Sequence, residues 1–267
     1  PPALQERVQN ARRPGELREM SLEEQPLELL KTLAPDWEAV VDDMDRRSFC
    51  YLQRRTWPEA LLEQEFRNLL DCGHWEKLYS KAGSVTRSTA WYVSDGCCCN
   101  YSYGDVNVQP NKRPDCLRSI EARILGEACC LPESQWPNCV NLNLYEDEGQ
   151  NVGWHSDDEG LFRGCEMDCR IISASWGSSR VFEVALKDRN HASGKPSVFY
   201  DTLQSVTLEA GDICSMEGLF QRHYSHQIAK GTGGASSPAS EASPKTDEPK
   251  SSLSSLSPET VSAGVRI

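Results

Sequence analysis

The sequence predicts an α+β fold in which N-terminal helices back a jelly-roll sheet. Three observations predict it. In two segments before residue 130, apolar residues recur every three or four positions, the period of a helix with one buried face. From Cys139 the period falls to two, as Val140, Leu142 and Leu144 alternate with Asn141, Asn143 and Tyr145, the pattern of a strand. Short strand-like runs with turn signals between them then follow, a spacing that fits a sandwich or barrel.

Residues 1–45 read as a polar, partly flexible N-terminal extension with one or two short helices, marked by Leu27, Leu29, Leu30 and Leu33 before Pro35. Phe49 to Leu52 is a short strand. Trp57-Pro58 opens the first long helix, because proline suits a helix start. Leu61, Leu62, Phe66, Leu69 and Leu70 give it one apolar stripe. Aromatic strand-like segments at Arg87 to Tyr92 and Tyr101 to Tyr103 flank a Gly-Cys loop at 94–100. After Pro114 a second helix is predicted over 115–127, with Leu117, Ile120 and Ile124 on its buried face. Strands are predicted over 140–145, 152–155, 170–176, 180–186, 198–200, 205–208, 213–216 and 223–228. Residues 46–230 thus form one domain. Residues 231–265 are rich in Gly, Ser, Pro, Thr, Glu and Lys. They hold too little apolar surface to offset the entropy of ordering, and read as a disordered insert.

Bulk properties narrow the function. No run of apolar residues is long enough to span a bilayer, and the first residues lack the apolar core of a signal peptide. The 12 cysteines include the adjacent clusters Cys97–Cys99 and Cys129–Cys130, unlike a disulfide framework or a zinc site. Reduced thiols in an intracellular compartment, nucleus or cytoplasm, are expected. The net charge of −12 opposes tight, non-specific binding to duplex DNA. A monomer with no membrane partner is expected.

The chemistry centres on Trp154-His155-Ser156-Asp157-Asp158-Glu159. On a strand, residues two apart face the same way, so His155 and Asp157 aim an imidazole and a carboxylate at one point. That is two-thirds of the 2-His-1-carboxylate triad that leaves positions open on a non-haem iron(II). A third ligand must come from a distant strand, and His223 and His226 both lie in the last one predicted.

The order of segments resembles the AlkB family of Fe(II)/2-oxoglutarate-dependent dioxygenases, from about Arg87 to Ile228. Arg87-x-Thr89-Ala-Trp91-Tyr92 with Tyr101-x-Tyr103 looks like its nucleotide-recognition region. Asn143-x-Tyr145 with Trp154 to Glu159 looks like its core. Ser173-Ala-Ser175-Trp-Gly177-x-x-Arg180-x-Phe182, then Gly211-Asp212 to Gly218 and Tyr224-x-His226-Gln-Ile228, look like its closing strands. The resemblance implies a double-stranded β-helix, with Fe(II) held by His155, Asp157 and His226. His226 ranks above His223 because it precedes Gln-Ile, as the family's distal histidine precedes a polar and an aliphatic residue.

Asn143 and Tyr145 are implied to bind the co-substrate 2-oxoglutarate, with O2 as the second co-substrate. Arg266 matches the first arginine of the family's last core strand, and its guanidinium suits a carboxylate. The second arginine of that strand has no counterpart, so the chain is expected to stop just inside it, at 266–267. Trp91, Tyr92, Tyr101, Tyr103, Asp158, Glu159 and Arg180 are implied to serve the substrate, with Glu159 able to pair with Arg180. The implied reaction is oxidative demethylation of alkylated nucleobases in DNA or RNA, single strands favoured, releasing succinate, CO2 and formaldehyde. The alternatives are a protein or small-molecule hydroxylase with the same iron chemistry, or an inactive jelly-roll scaffold.

Overall fold

A major and a minor sheet, antiparallel but for one short parallel pair, a separate two-stranded ribbon and a layer of helices make up the fold. The computed structural model describes residues 26–54, 57–81, 83–187 and 202–231, and the backbone of 262–266. In chain order the strands are β1 (Trp37–Asp43), β2 (Ser48–Gln53), β3 (Glu76–Ser80), β4 (Gly83–Val93), β5 (Tyr101–Tyr103), β6 (Val106–Val108) and β7 (Asn111–Lys112). They continue as β8 (Cys139–Tyr145), β9 (Val152–His155), β10 (Ile171–Gly177), β11 (Arg180–Leu186), β12 (Gln204–Leu208), β13 (Ile213–Gly218), β14 (Tyr224–Ile228) and β15 (Ser262–Arg266). The helices are α1 (Leu30–Leu33), α2 (Glu59–Cys72), α3 (Asp115–Glu121) and α4 (Phe220–His223). A π-helical segment, Ala122–Ala128, continues α3, so the second predicted helix changes its winding halfway.

The major sheet runs β1-β2-β13-β10-β15-β8-β4-β3, with β7 beside β4. The minor sheet runs β12-β11-β14-β9, and β5 and β6 form a separate pair. Alternation along the strands builds two cores. Val140, Leu142 and Leu144 of β8 pack in one cluster with Ile172 and Trp176 of β10, Phe66 and Leu69 of α2, and Leu117 and Ile120 of α3. Full burial of each such side chain contributes roughly 1.5–3 kcal/mol before entropy is counted. The alternate residues Ile171, Cys214 and Met216 share a second cluster with Phe182, Val184 and Tyr224 of the minor sheet. The face of β8 that carries Asn141, Asn143 and Tyr145 is the one turned away from the helices.

Four expectations change. Residues 37–43 belong to the sheet as β1 rather than to a flexible extension. A β-bulge between Ala39 and Val41 buries Val40 and Val41 together and breaks the period-two signal. The last strand begins at Ser262, not 266, and lies between β10 and β8; residues 232–261 and the predicted strand 198–200 lie outside the described residues. His223 ends α4 instead of sharing a strand with His226. Cys72 and Cys116 form a disulfide where reduced thiols were expected. Helix packing joins the end of α2 to the start of α3, and a separation of 44 residues gives no local sign of it. Among the described residues, no helix is long and apolar enough to cross a membrane.

β1 also braces the minor sheet. The Tyr224 hydroxyl donates to Asp43 Oδ2 at 2.6 Å. Burial pushes the Asp43 carboxyl up, but hydrogen bonds from Tyr224 and Arg46 outweigh it and hold the pKa below the usual range. A lowered carboxylate stabilises the fold above its unfolded pKa and loses that contribution as pH falls through its folded pKa. Tyr224→Phe should therefore cost about 1–3 kcal/mol at pH 7 and progressively less below pH ~4. Urea denaturation across pH checks this; a cost independent of pH would contradict it.

Candidate active site

β9 and β14 are antiparallel neighbours, and His155 lies directly opposite His226. A register shift between His226 and Ile228 adds a residue on the β9 side, and such bulges re-aim side chains. The two imidazole centroids are 4.3 Å apart. Asp157 follows β9 and sits between them: its Oδ1 is 3.8 Å from His155 Nε2, and its Oδ2 is 3.4 Å from His226 Nε2. One ligand atom from each residue lies within 4.8 Å of the others. Among the described residues this is the one such group of three or more His, Cys, Asp or Glu side chains.

Local contacts prepare these donors. His155 Nδ1 lies 2.8 Å from the Gly153 carbonyl oxygen. A carbonyl only accepts, so Nδ1 carries the proton and Nε2 keeps its lone pair. Asp157 and His226 are each 1% exposed, and the rings of Phe182 and Phe220 lie 5.7 and 6.2 Å from that of His226. Two imidazole nitrogens and one carboxylate oxygen, with no cation in the group, form a donor set that fits iron(II).

Gln221 is a residue that sequence reasoning missed. It is 1% exposed, and its Oε1 accepts the Asp157 backbone N–H at 2.9 Å. Its Nε2 donates to Met216 Sδ at 3.5 Å, which fixes the amide orientation. No local pattern marks this glutamine, because its role depends on α4 turning back onto Asp157, two residues past the end of β9. Gln221→Ala should weaken Fe(II) or Co(II) binding about 10–100-fold, the usual effect of losing a group that orients a ligand. Calorimetric metal titration checks it, and unchanged affinity would sink the assignment.

On β8, Asn143 and Tyr145 are buried. Arg87 Nε donates to Asn143 Oδ1 at 2.7 Å, which brings a guanidinium to this face that the sequence reading left out of the site. Arg180 lies 5.2 Å over the Tyr145 ring and donates to the Asp147 carbonyl at 2.6 Å, where it clasps the loop before β9. Arg266 stands in register with Ser173 and Asn141, so β15 brings its backbone beside β8.

The aromatic residues divide between faces. Trp91 stacks on Tyr101 at 4.9 Å, and Tyr101 lies 5.1 Å from Tyr103 and 5.7 Å from Phe162. Trp91, Tyr101, Phe162 and Asn141 line a cavity of about 290 Å³. Tyr92 is on the opposite face, wholly buried in the helix-side core, and the structure does not bring it to the site. Strand alternation carried that signal, since neighbours on a strand cannot face the same way. The Tyr101 hydroxyl donates to Glu159 Oε1 at 3.1 Å, which ties the cavity to the segment carrying Asp157. Asp158 pairs with Lys187, Nζ to Oδ2, at 3.2 Å. Burial raises the thiols of Cys139 and Cys169, also on the cavity wall, to about 11 and about 12.

Comparison with known proteins places this geometry in a family. Residues 49–247 match the 2OG-Fe(II) oxygenase superfamily. The mouse protein "Alpha-ketoglutarate-dependent dioxygenase alkB homolog 3" is 30% identical over 145 residues, covering 54% of this chain and 46% of that protein. The Arabidopsis thaliana "DNA oxidative demethylase ALKBH2" is 30% identical over 112 residues, covering 38% of this chain and 34% of its own length. The solved structure of OsALKBH1 aligns with a TM-score of 0.47 at 15% identity, over 81% of this chain and 95% of that one. The chain spans about half the length of the alkB homolog 3 proteins it matches. Iron(II), 2-oxoglutarate and O2 are the cofactor and co-substrates this family implies, and a jelly roll is its fold. The chain belongs to the 2OG-Fe(II) oxygenase superfamily.

Proposed function

We propose that this protein is a 2-oxoglutarate-dependent dioxygenase that demethylates alkylated bases in single-stranded DNA or RNA. The observation that carries this reading is the His155, Asp157 and His226 cluster, whose segment the Tyr101–Glu159 hydrogen bond ties to an aromatic-lined cavity of about 290 Å³. That volume sits near the lower end of small-molecule sites, roughly 300–1,000 Å³.

Iron(II) held by His155, Asp157 and His226 would supply the oxidation of a C–H bond by O2, coupled to decarboxylation of 2-oxoglutarate to succinate. The chain's own residues bind, orient and exclude water. Asn143 and Tyr145 offer an amide and a phenol to the co-substrate from one face of β8, and Arg266 is the proposed partner of its carboxylate. Tyr103, half-buried at the edge of the Trp91–Tyr101 stack, offers a flat face on which a base can stack, a contact worth about 1–3 kcal/mol per base. The Tyr103 hydroxyl is buried with no hydrogen-bond partner among the described residues, so a substrate group can take it up. Asp158 and Glu159 offer carboxylates to an exocyclic amine, and Arg180 fixes the loop behind them. Hydroxylation of an N-methyl carbon gives a hemiaminal that releases formaldehyde and leaves the base N–H.

Support for nucleic acid as substrate comes from the stacking wall and from the demethylase named among the relatives. The net charge of −12 favours a single strand, which needs less phosphate neutralisation than a duplex. The test is succinate and formaldehyde release from the full chain with Fe(II) and 2-oxoglutarate. Stimulation by an N-methylated oligonucleotide, and not by its unmethylated form or by peptides, is expected. Stimulation by peptides alone would overturn the substrate assignment.

A further inference from the structure

The loop between β4 and β5 holds three consecutive cysteines, Cys97, Cys98 and Cys99, which the proposed reaction leaves unused. The loop is a defined turn: Cys97 N–H donates to the Ser94 carbonyl at 3.0 Å, and Gly96 takes a φ of +86° that disfavours a side chain. Cys98 and Cys99 are exposed. Cys97 is half-buried and packs against the cluster of Trp91 and Tyr101. Trp91 Nε1 donates to the Cys99 carbonyl at 2.8 Å, so the loop is pinned to the wall of the aromatic cavity.

The Cys97 sulfur stands apart from the buried thiols of the protein. The Cys99 backbone N–H, the Cys99 thiol and the Cys98 backbone N–H all hydrogen-bond to the Cys97 sulfur and hold its pKa below the usual thiol range. Converging backbone N–H groups of this kind favour an anion, and the thiolate is the reacting form of cysteine. Elsewhere burial acts the other way. The Cys50 and Cys214 sulfurs lie 3.7 Å apart, but burial pushes the Cys50 thiol well up. Burial does the same to Cys139 and Cys169.

We propose that Cys97 and Cys99 form a modification site, a dithiol that a hydroperoxide oxidises to a disulfide within the loop. The Cys97 thiolate attacks the O–O bond, which breaks; one oxygen stays on sulfur as sulfenic acid and the other leaves, after protonation, as an alcohol, or as water when the oxidant is hydrogen peroxide. The Cys99 thiol then attacks that sulfur, the S–S bond forms and the sulfenic oxygen leaves as water. Two thiols lose two electrons, and one peroxide gains them. Residues two apart lie at most ~7 Å apart between Cα atoms, and disulfides usually span ~4.4–6.8 Å. Because Cys99 holds the Trp91 indole, oxidation acts on the wall of the cavity.

The experiment exposes the metal-free full chain to hydrogen peroxide, blocks the remaining thiols with N-ethylmaleimide and maps the products by tryptic mass spectrometry. The peptide 88–112 should become lighter by two hydrogens with only Cys98 labelled, while the exposed Cys130 stays labelled. Before oxidation, Cys97 should react with maleimide about tenfold faster than Cys130 at pH 7. Cys99→Ser should stop the reaction at sulfenic acid on Cys97, trapped by dimedone. Labelling of both Cys97 and Cys99 after peroxide, or a linkage through Cys98, would overturn the proposal. The labelling rates in the wild-type chain decide the matter even if the variant folds poorly.

Discussion

Asp157→Ala is expected to reduce turnover to background while leaving the fold in place. Its carboxylate is the one anionic donor of the group, 3.8 and 3.4 Å from the two imidazole nitrogens. Without it two neutral nitrogens remain, a set that binds a divalent cation weakly. The side chain belongs to none of the hydrophobic clusters, so the core is unchanged. The melting temperature should move by no more than about 4 °C, the equivalent of ~1 kcal/mol in a domain of this size. Succinate release and circular dichroism check the two halves of the prediction. Turnover near the wild-type level would refute the ligand assignment, whatever the stability.

Arg123→Ala is expected to cost about 3–5 kcal/mol of stability, as breaking a buried ion pair from one side does. Arg123 lies 3.6 Å over the Trp57 ring and pairs with Glu65, its Nε donating to Oε1 at 2.9 Å. Glu65 also accepts the Trp176 indole N–H at 3.1 Å. The pair thus joins α2, the π-helical segment and β10. Truncating Arg123 leaves the carboxylate buried with the indole as its remaining partner among the described contacts. The melting temperature should fall by about 6–20 °C. Replacing both partners, Arg123→Met with Glu65→Leu, should recover most of the loss, because no uncompensated charge stays inside. Thermal denaturation of the singles and the double decides it, and a single substitution costing under ~1 kcal/mol would refute the account.

These two sites also show what a sequence discloses. The strand β8 was legible because Val140, Leu142 and Leu144 repeat every two residues and face one core. The helix α2 was legible from Phe66, Leu69 and Leu70. The spacing of His155 and Asp157 implied a common point, and the structure brings both together with His226 across one strand pair. Contacts between distant segments left no periodic trace. The Arg123–Glu65 pair spans 58 residues, and Gln221 reaches Asp157 across 64. β1 was lost to a bulge, and Tyr92 was assigned to the site although alternation with Trp91 placed it on the other face. Local rules yielded the elements and two of the three residues of the metal cluster; the motif resemblance and then the fold supplied the third.

The central claim is that His155, Asp157 and His226 hold iron(II) with 2-oxoglutarate beside it. Visible absorption of the protein mixed anaerobically with Fe(II) and 2-oxoglutarate tests this most directly. A weak charge-transfer band is predicted for the wild-type chain and not for Asp157→Ala. A folded wild-type chain without that band, or an Asp157→Ala variant that retains it, would contradict the account.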